Sequence, residues 1–336
     1  MHERFRYKTK EGLLKKAKDL DLNLPFSDDI SPLLDTASFD GFSVPNRLVV
    51  QPMEGYDSEP DGSPSDLTKR RYLRYAAGRS GIIWYEAVSV SHDGRSNPRQ
   101  LWINRKNFDS FGSLNEEVRK SATYSGTVPF LVIQLTHSGR YSKPEGKSKP
   151  QVAAVNNILD RTEPYILTDD DLKRIQDNFV SAARLAAYSG FDAIDIKACH
   201  GYLIIDTPLP GVKVPDEHPL SGVLNMINGT SVFQKRFPEI HFVGSAYSYL
   251  RQYAPNVGAA VIKNGDASFI GFGRSSFAYP SMPLDLIRMG KADPAKVCIA
   301  CSGCTRLIKS LHPGGCVIRD REIYATELKK LIADEK

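Results

Sequence analysis

The chain has 336 residues, of which 41% are hydrophobic and 25% charged, and its formal net charge is +5. This composition excludes a small stapled module and an intrinsically disordered chain, and the length admits either two ordinary domains or one large α/β barrel with additions. Basic residues are spread along the chain, which suits an anionic cofactor or substrate at least as well as nucleic acid, and no nucleic-acid partner is expected; no apolar run approaches the roughly 18 residues of a membrane span, and the polar start at residues 1–10 leads into no apolar core, so a cytoplasmic protein is expected.

Residues 11–20 read as a charged helix followed by an Asp-, Ser- and Pro-rich loop, together a cap over residues 1–40. Short β-branched runs then alternate with stretches of helical period, the pattern of parallel strands joined by crossover helices. Strands are predicted at 47–51, 81–90, 130–135, 193–197, 241–245 and 268–273, most of them apolar on both faces as a buried parallel sheet requires. Helices are predicted at 67–77, 111–121 and 169–189. The last starts on a capping box, Thr168 with Asp171, and stops at Gly190. Between 205 and 239 no strand is legible, only a loop with Pro208, Pro210, Pro215 and Pro219 and a helix at 222–235. A charged helix at 321–333 closes the chain. A closed (β/α)8 barrel needs eight strands, and six are legible.

Polar residues gather just past the strand ends, where barrel enzymes keep their sites. The first strand leads into QPMEG, the third ends in QLTHSGR (Gln134, His137, Arg140), and the fourth runs through IDIKACHGYL (Lys197, His200, Tyr202). His137 and His200 read equally well as helix-cap histidines, and Tyr202 as a tyrosine packing its loop. After the last two strands come Gly244-Ser245 and Gly271-Phe272-Gly273-Arg274. Glycines admit a phosphate close to backbone N–H groups, and an arginine adds a charge-assisted contact. The third glycine of a dinucleotide fingerprint is missing, which rules against a Rossmann site. Four of the five cysteines follow the pattern C-x2-C-x2-C-x11-C (Cys298, Cys301, Cys304, Cys316), a spacing for one metal centre; Cys199 stands apart.

The fragments NRLVVQPMEG, QLTHSGR, CHGYL and GFGRSSFAYP followed by CIACSGC, in this order, resemble the old yellow enzyme family of NADH:flavin oxidoreductases. The closest likeness is to its iron–sulfur branch, which includes 2,4-dienoyl-CoA reductase and trimethylamine dehydrogenase. The resemblance implies a TIM (β/α)8 barrel over 41–292 holding FMN, an iron–sulfur segment with a C-terminal helix over 293–336, and NAD(P)H as reductant. It implies backbone contacts to FMN from Pro52, Met53 and Glu54, Ala87 against the ring, Gln134 on the pyrimidine side, and Gly244, Ser245, Gly273 and Arg274 at the phosphate. Cys298, Cys301, Cys304 and Cys316 would ligate a [4Fe–4S] cluster; a four-cysteine zinc site is the alternative.

By the same resemblance, flavin N5 delivers hydride to an activated alkene of 2-enoyl or dienoyl type. Lys197 and His200 then stabilise the enolate oxygen, and Tyr202 protonates the α-carbon. The family's usual first histidine of the substrate pair is replaced here by Lys197, suited to polarising a carbonyl or pairing with a carboxylate. A cluster also implies an electron-transfer protein or a separate flavin domain as partner. After Leu203 the sequence passes at 205–206 almost directly into DTPLPG, so about two βα units, strands five and six, are missing from the pattern. Two rival readings remain: a barrel remnant that keeps a structural metal cluster, and a lyase using Lys197 as a Schiff base.

Overall fold

The computed structural model describes residues 3–156, 160, 163–205 and 216–334. The chain opens with α1 (Lys10–Asp19) and α2 (Ser31–Leu34), then a hairpin of β1 (Ala37–Phe39) and β2 (Phe42–Val44). There follow β3 (Leu48–Val50), α3 (Asp66–Ala77), β4 (Ile82–Ser89), α4 (Phe108–Ser125) and β5 (Phe130–Thr136). Two short strands, β6 (Gln151–Val152) and β7 (Tyr165–Ile166), precede α5 (Asp169–Tyr188) and β8 (Ala193–Ile196). The remainder is α6 (Pro219–Arg236), β9 (Val243–Gly244), α7 (Ala254–Lys263), β10 (Phe269–Phe272), α8 (Arg274–Ala278), α9 (Met282–Met289), α10 (Gly303–Lys309) and α11 (Thr326–Asp334).

Six strands form one parallel sheet in the order β8-β5-β4-β3-β10-β9. All six strands read from the sequence are therefore present, and the helices at 11–20, 67–77, 111–121, 169–189 and 222–235 appear with ends shifted by a few residues. The Thr168–Asp171 capping box is formed in both directions. The helix expected at 321–333 is divided, a π-type turn at Arg321–Ala325 leading into α11.

Strand periodicity separates two cores. One face sends Val50, Ile83, Tyr85, Leu131 and Ile133 outward against α3, α4 and α5, and Leu48 and Ile270 against α1, α6 and α7. The inner face carries Val49, Ile82, Phe130, Val132 and Phe269, and the β1–β2 hairpin plugs it from the strands' N-terminal end. Phe39 lies 5.2 Å from Phe130 and 5.8 Å from Phe269, ring centre to ring centre. The hairpin turns on Asp40 (φ 46°) and Gly41 (φ 80°), both in the left-handed region that a two-residue I′ turn needs.

β8 and β9 are the two edges of the sheet among the described residues. Two further parallel strands would stand between them in a closed eight-stranded barrel. On β8 the outward Ile194 and Ile196 are 40% and 56% exposed, unlike the fully covered strands β3 and β5. The 205–206 junction, where the sequence places the missing units, runs into residues 206–215, which with Pro208, Pro210 and Pro215 lie outside the described residues.

Candidate active site

The inner face changes character toward the C-terminal strand ends, from an apolar layer to a polar one. β8 continues its ladder one residue further, Lys197 donating its N–H to the Leu135 carbonyl at 2.9 Å. The chain then reverses through His200 (φ 61°) and Gly201 (φ 66°). This turn brings Tyr202 back over the side chain it has just passed, so that the Lys197 ammonium sits 4.3 Å from the centre of the Tyr202 ring. Leu203 N–H bonds the His137 carbonyl and holds the returning chain down.

Lys197 is buried and its Nζ stands 3.3 Å from Glu54 Oε1. Burial pulls the lysine pKa down, but the Glu54 carboxylate more than restores it and holds it above the ordinary value. The other carboxylate oxygen of Glu54 accepts from Tyr56 Oη at 3.0 Å, and Tyr56 Oη lies 2.8 Å from Ser96 Oγ. Burial, with Glu54 nearby, pushes the Tyr202 phenol up to about 12, although Lys197 and the Ser96 and Tyr56 hydroxyls pull the other way. Glu54, Lys197 and Tyr202 thus form one cluster. His200 is exposed at its border, its ring 6.3 Å from that of Tyr202.

The loop carrying Glu54 is held by residues that the sequence reading missed. The Gly55 N–H donates to Glu86 Oε2 at 2.6 Å. Glu86 and Asp57 both grip the Arg71 guanidinium, Thr68 Oγ1 donates to Asp57 Oδ1 at 2.7 Å, and all four side chains are buried. A β-carbon on Gly55 would overlap that guanidinium, which is why glycine stands there. Burial and the Asp57 charge push Glu86 upward, against the pull of Arg71. The available signal was a single acid inside the apolar run IIWYEAVS, at the bulge between Tyr85 and Ala87.

Of QLTHSGR, Gln134 faces the barrel interior. Its Nε2 donates to Asp195 Oδ2 at 2.6 Å, from the paired position on β8. Asp195, also missed, is raised by its own burial. His137 points away from this interior: its Nδ1 accepts the Gly139 N–H at 3.2 Å at the start of a 3-10 turn, the capping arrangement its residue type allows. Burial holds its pKa down at about 4. Arg140 is ion-paired with Asp160. Ala87 pairs with Gln134 across the sheet and is fully buried.

Pro52 and Met53 leave the end of β3 beside the turn after β10, where a β-carbon on Gly273 would lie 3.1 Å from Met53 Sδ. Gly244 is packed closely by Tyr247. The two glycine turns are drawn together by Ser248 Oγ and Ser275 Oγ, 3.0 Å apart. Arg274 begins α8 and faces the cysteine segment.

Cys298, Cys301, Cys304 and Cys316 all line one small cavity, with Arg274 and Phe277 in its wall. All four are free thiols. Cys298 Sγ accepts the Ala300 N–H and Cys316 Sγ the Arg319 N–H, each at 3.4 Å, and Ala300 and Ser302 take left-handed φ values as the chain bends around the cavity. Among the described residues no three His, Cys, Asp or Glu side chains stand in metal-ligand geometry, so the cysteines share a cavity without forming a closed ligand set. Asp320, just beyond Cys316, accepts from Arg70 at 2.7 and 3.0 Å and from Arg74 at 2.5 Å, fastening this segment to α3.

Residues 38–210 match the family model described as the NADH:flavin oxidoreductase / NADH oxidase family. An NADPH dehydrogenase of Clostridium acetobutylicum is 36% identical over 162 residues, 47% of this chain and 45% of that one. An NADPH dehydrogenase of Bacillus subtilis is 33% identical over 164 residues, 48% of this chain and 46% of that one. The chain thus spans about half the length of the curated relatives it matches. Among solved structures, 2-naphthoyl-CoA reductase in complex with 2-naphthoyl-CoA superposes with a TM-score of 0.67 at 15% identity, covering 89% of this chain and 58% of that one. Morphinone reductase in complex with tetrahydroNAD gives 0.61 at 15% identity, covering 86% and 96%. These likenesses place the curled parallel sheet among the family's α/β barrels. On the match over more than half its length, the chain belongs to the NADH:flavin oxidoreductase family, that of old yellow enzyme.

Proposed function

We propose that the protein is an FMN-dependent oxidoreductase that takes electrons from NAD(P)H and reduces an activated C=C bond. The observation that carries this reading is the convergence of Glu54, Lys197 and Tyr202 at the C-terminal strand ends of a flavoprotein-family barrel.

Two glycine turns stand side by side after the last two strands, and such turns suit a phosphate. Gly244, Ser245, Gly273 and the backbone N–H of Arg274 would hold the phosphate, the Arg274 side chain facing the cysteine segment; Pro52, Met53, Glu54 and Ala87 would border the ring, and Gln134 would meet its pyrimidine side. FMN supplies the two-electron redox chemistry when bound. The protein's own part is proton and charge management. The Lys197 ammonium has N–H donors beyond the one facing Glu54 and can polarise a substrate carbonyl, with His200 at the exposed border. Tyr202 stays protonated at neutral pH and gives its proton to the substrate carbon; Lys197 over its ring favours the phenolate left behind, and the Tyr56 and Ser96 hydroxyls offer a route for its reprotonation.

The four cysteines are read as ligands of a [4Fe–4S] cluster. Four free thiols around one cavity, two of them accepting backbone N–H bonds, are the donor chemistry such a cluster takes. It would pass electrons singly to or from a separate flavin domain or electron-transfer protein.

A lysine held as an ammonium is a poor imine-forming nucleophile, which argues against the Schiff-base lyase. The exposed edge strand β8 favours one alternative, a barrel remnant with a structural metal centre. Absorbance of the purified protein with added FMN separates the two. A bound flavin, with bands between roughly 350 and 480 nm that bleach with NADPH and recover with an enone, is the expected result. Absence of flavin uptake leaves the remnant.

A further inference from the structure

We propose that Glu54 restricts this site to alkenes activated by a neutral carbonyl, a ketone, ester or thioester, and turns away free carboxylates. This rests on the reductase reading above and names its substrate class. Lys197 is the cation positioned at the buried end of the site, and it already has an anionic partner: Glu54 Oε1 at 3.3 Å, with both side chains largely removed from solvent at 5% and 17% exposure. The second oxygen of Glu54 accepts from Tyr56, so the carboxylate is held from two sides, by Lys197 and by Tyr56. The Glu54–Lys197 pair sums to zero charge.

A substrate carbonyl oxygen needs only a donor, which an ammonium with three N–H groups supplies beside its ion pair. A substrate carboxylate would instead add a second anion next to Glu54 in a poorly solvated pocket, with one ammonium between them. The other groups at this end do not offset that charge: Asp195 is a third acid, Cys199 carries no positive charge, Arg140 is paired with Asp160, and His200 lies at the exposed border. Lysine alone at this position would favour an anion, and lysine clamped by glutamate favours a neutral acceptor.

The test titrates the FMN-supplemented protein, by calorimetry, with methyl cinnamate and cinnamate, which differ at this end only in ester against carboxylate. Wild type is expected to bind the ester at least about tenfold more tightly, the scale of one modest charge interaction. Glu54→Gln keeps the shape, frees Lys197 and is expected to erase or reverse the preference, cinnamate gaining at least about tenfold relative to the ester. Equal or tighter binding of cinnamate by wild type overturns the proposal, as does an unchanged ratio in folded Glu54→Gln or binding of neither ligand. The wild-type ratio needs no variant. Flavin uptake, read by absorbance on the same sample, reports separately on the reductase reading.

Discussion

The Gly314 N–H donates to the Gly55 carbonyl at 2.6 Å, so the segment carrying Cys316 is bonded directly to the loop carrying Glu54. A β-carbon on Gly314 would lie 3.0 Å from the Glu54 carbonyl and closer still to Ile308, which makes this a backbone-to-backbone junction. The cysteine segment and the substrate side of the barrel therefore share a backbone hydrogen bond, beside the packing of Cys316, Ile308 and Met53 on one apolar cluster. Anaerobically purified protein is expected to carry about four iron atoms per chain. Chelation should speed amide exchange in both 298–320 and 52–57 while leaving β4 and β5 protected. About one zinc and no iron would replace the cluster with a structural zinc site, and unchanged exchange at 52–57 would show that the junction transmits nothing.

Gly55→Ala should be among the most damaging small substitutions in the chain. Its methyl group displaces the Arg71 guanidinium from between Asp57 and Glu86, leaving buried charges unpaired. Breaking such a pair costs about 3–5 kcal/mol. Urea unfolding measures it, and a loss below about 1 kcal/mol would mean that the loop moves aside freely.

His137 sets a pH dependence with a definite sign. Its folded pKa, about 4, lies below the ordinary 6.5, because burial favours the neutral ring. The unfolded chain therefore binds the extra proton first. The stability held by the neutral ring is complete above about pH 6.5 and is lost as pH falls toward 4. His137→Asn keeps an acceptor for the Gly139 N–H and should flatten the curve between pH 6.5 and 4. Unfolding free energies at three pH values decide it; an equally steep variant would assign the slope elsewhere.

Tyr202→Phe should lower kcat by about 10²–10⁴ with little change in KM, since it removes a proton donor and keeps the ring under Lys197. Lys197→Met should raise KM as well, because polarisation of the carbonyl begins in the bound ground state. Assays with methyl cinnamate and NADPH separate the two patterns. A fall of less than tenfold for Tyr202→Phe would move the proton donor to another residue.

The six strands were legible because each is a short run rich in apolar and β-branched residues, and α5 because its capping box is local in sequence. The β1–β2 hairpin was missed although Asp40-Gly41 announces it; three-residue strands are too short for alternation to stand out. The site was legible as residue types at strand ends, which is how Lys197 and Tyr202 were found. Pairing was not: Glu54 and Lys197 are 143 residues apart, and no periodicity specifies which acid meets which base. The side chain of Glu54, expected to matter only through its backbone, proved to face the lysine. Asp195 alternates with Ile194 and Ile196 on β8, a signal overlooked once the strand was taken as apolar on both faces.

The aromatic plug has a mechanical role beyond filling space. Phe39 touches Phe130 on β5 and Phe269 on β10, strands separated in the sheet by β3 and β4. A closed barrel keeps its curvature through hydrogen bonds around the whole ring, which the six strands of the described residues do not complete. Here a short hairpin spans the concave side like the key of an arch, its phenylalanines bridging β5 and β10 at the end of the sheet opposite Gln134, Lys197 and the glycine turns.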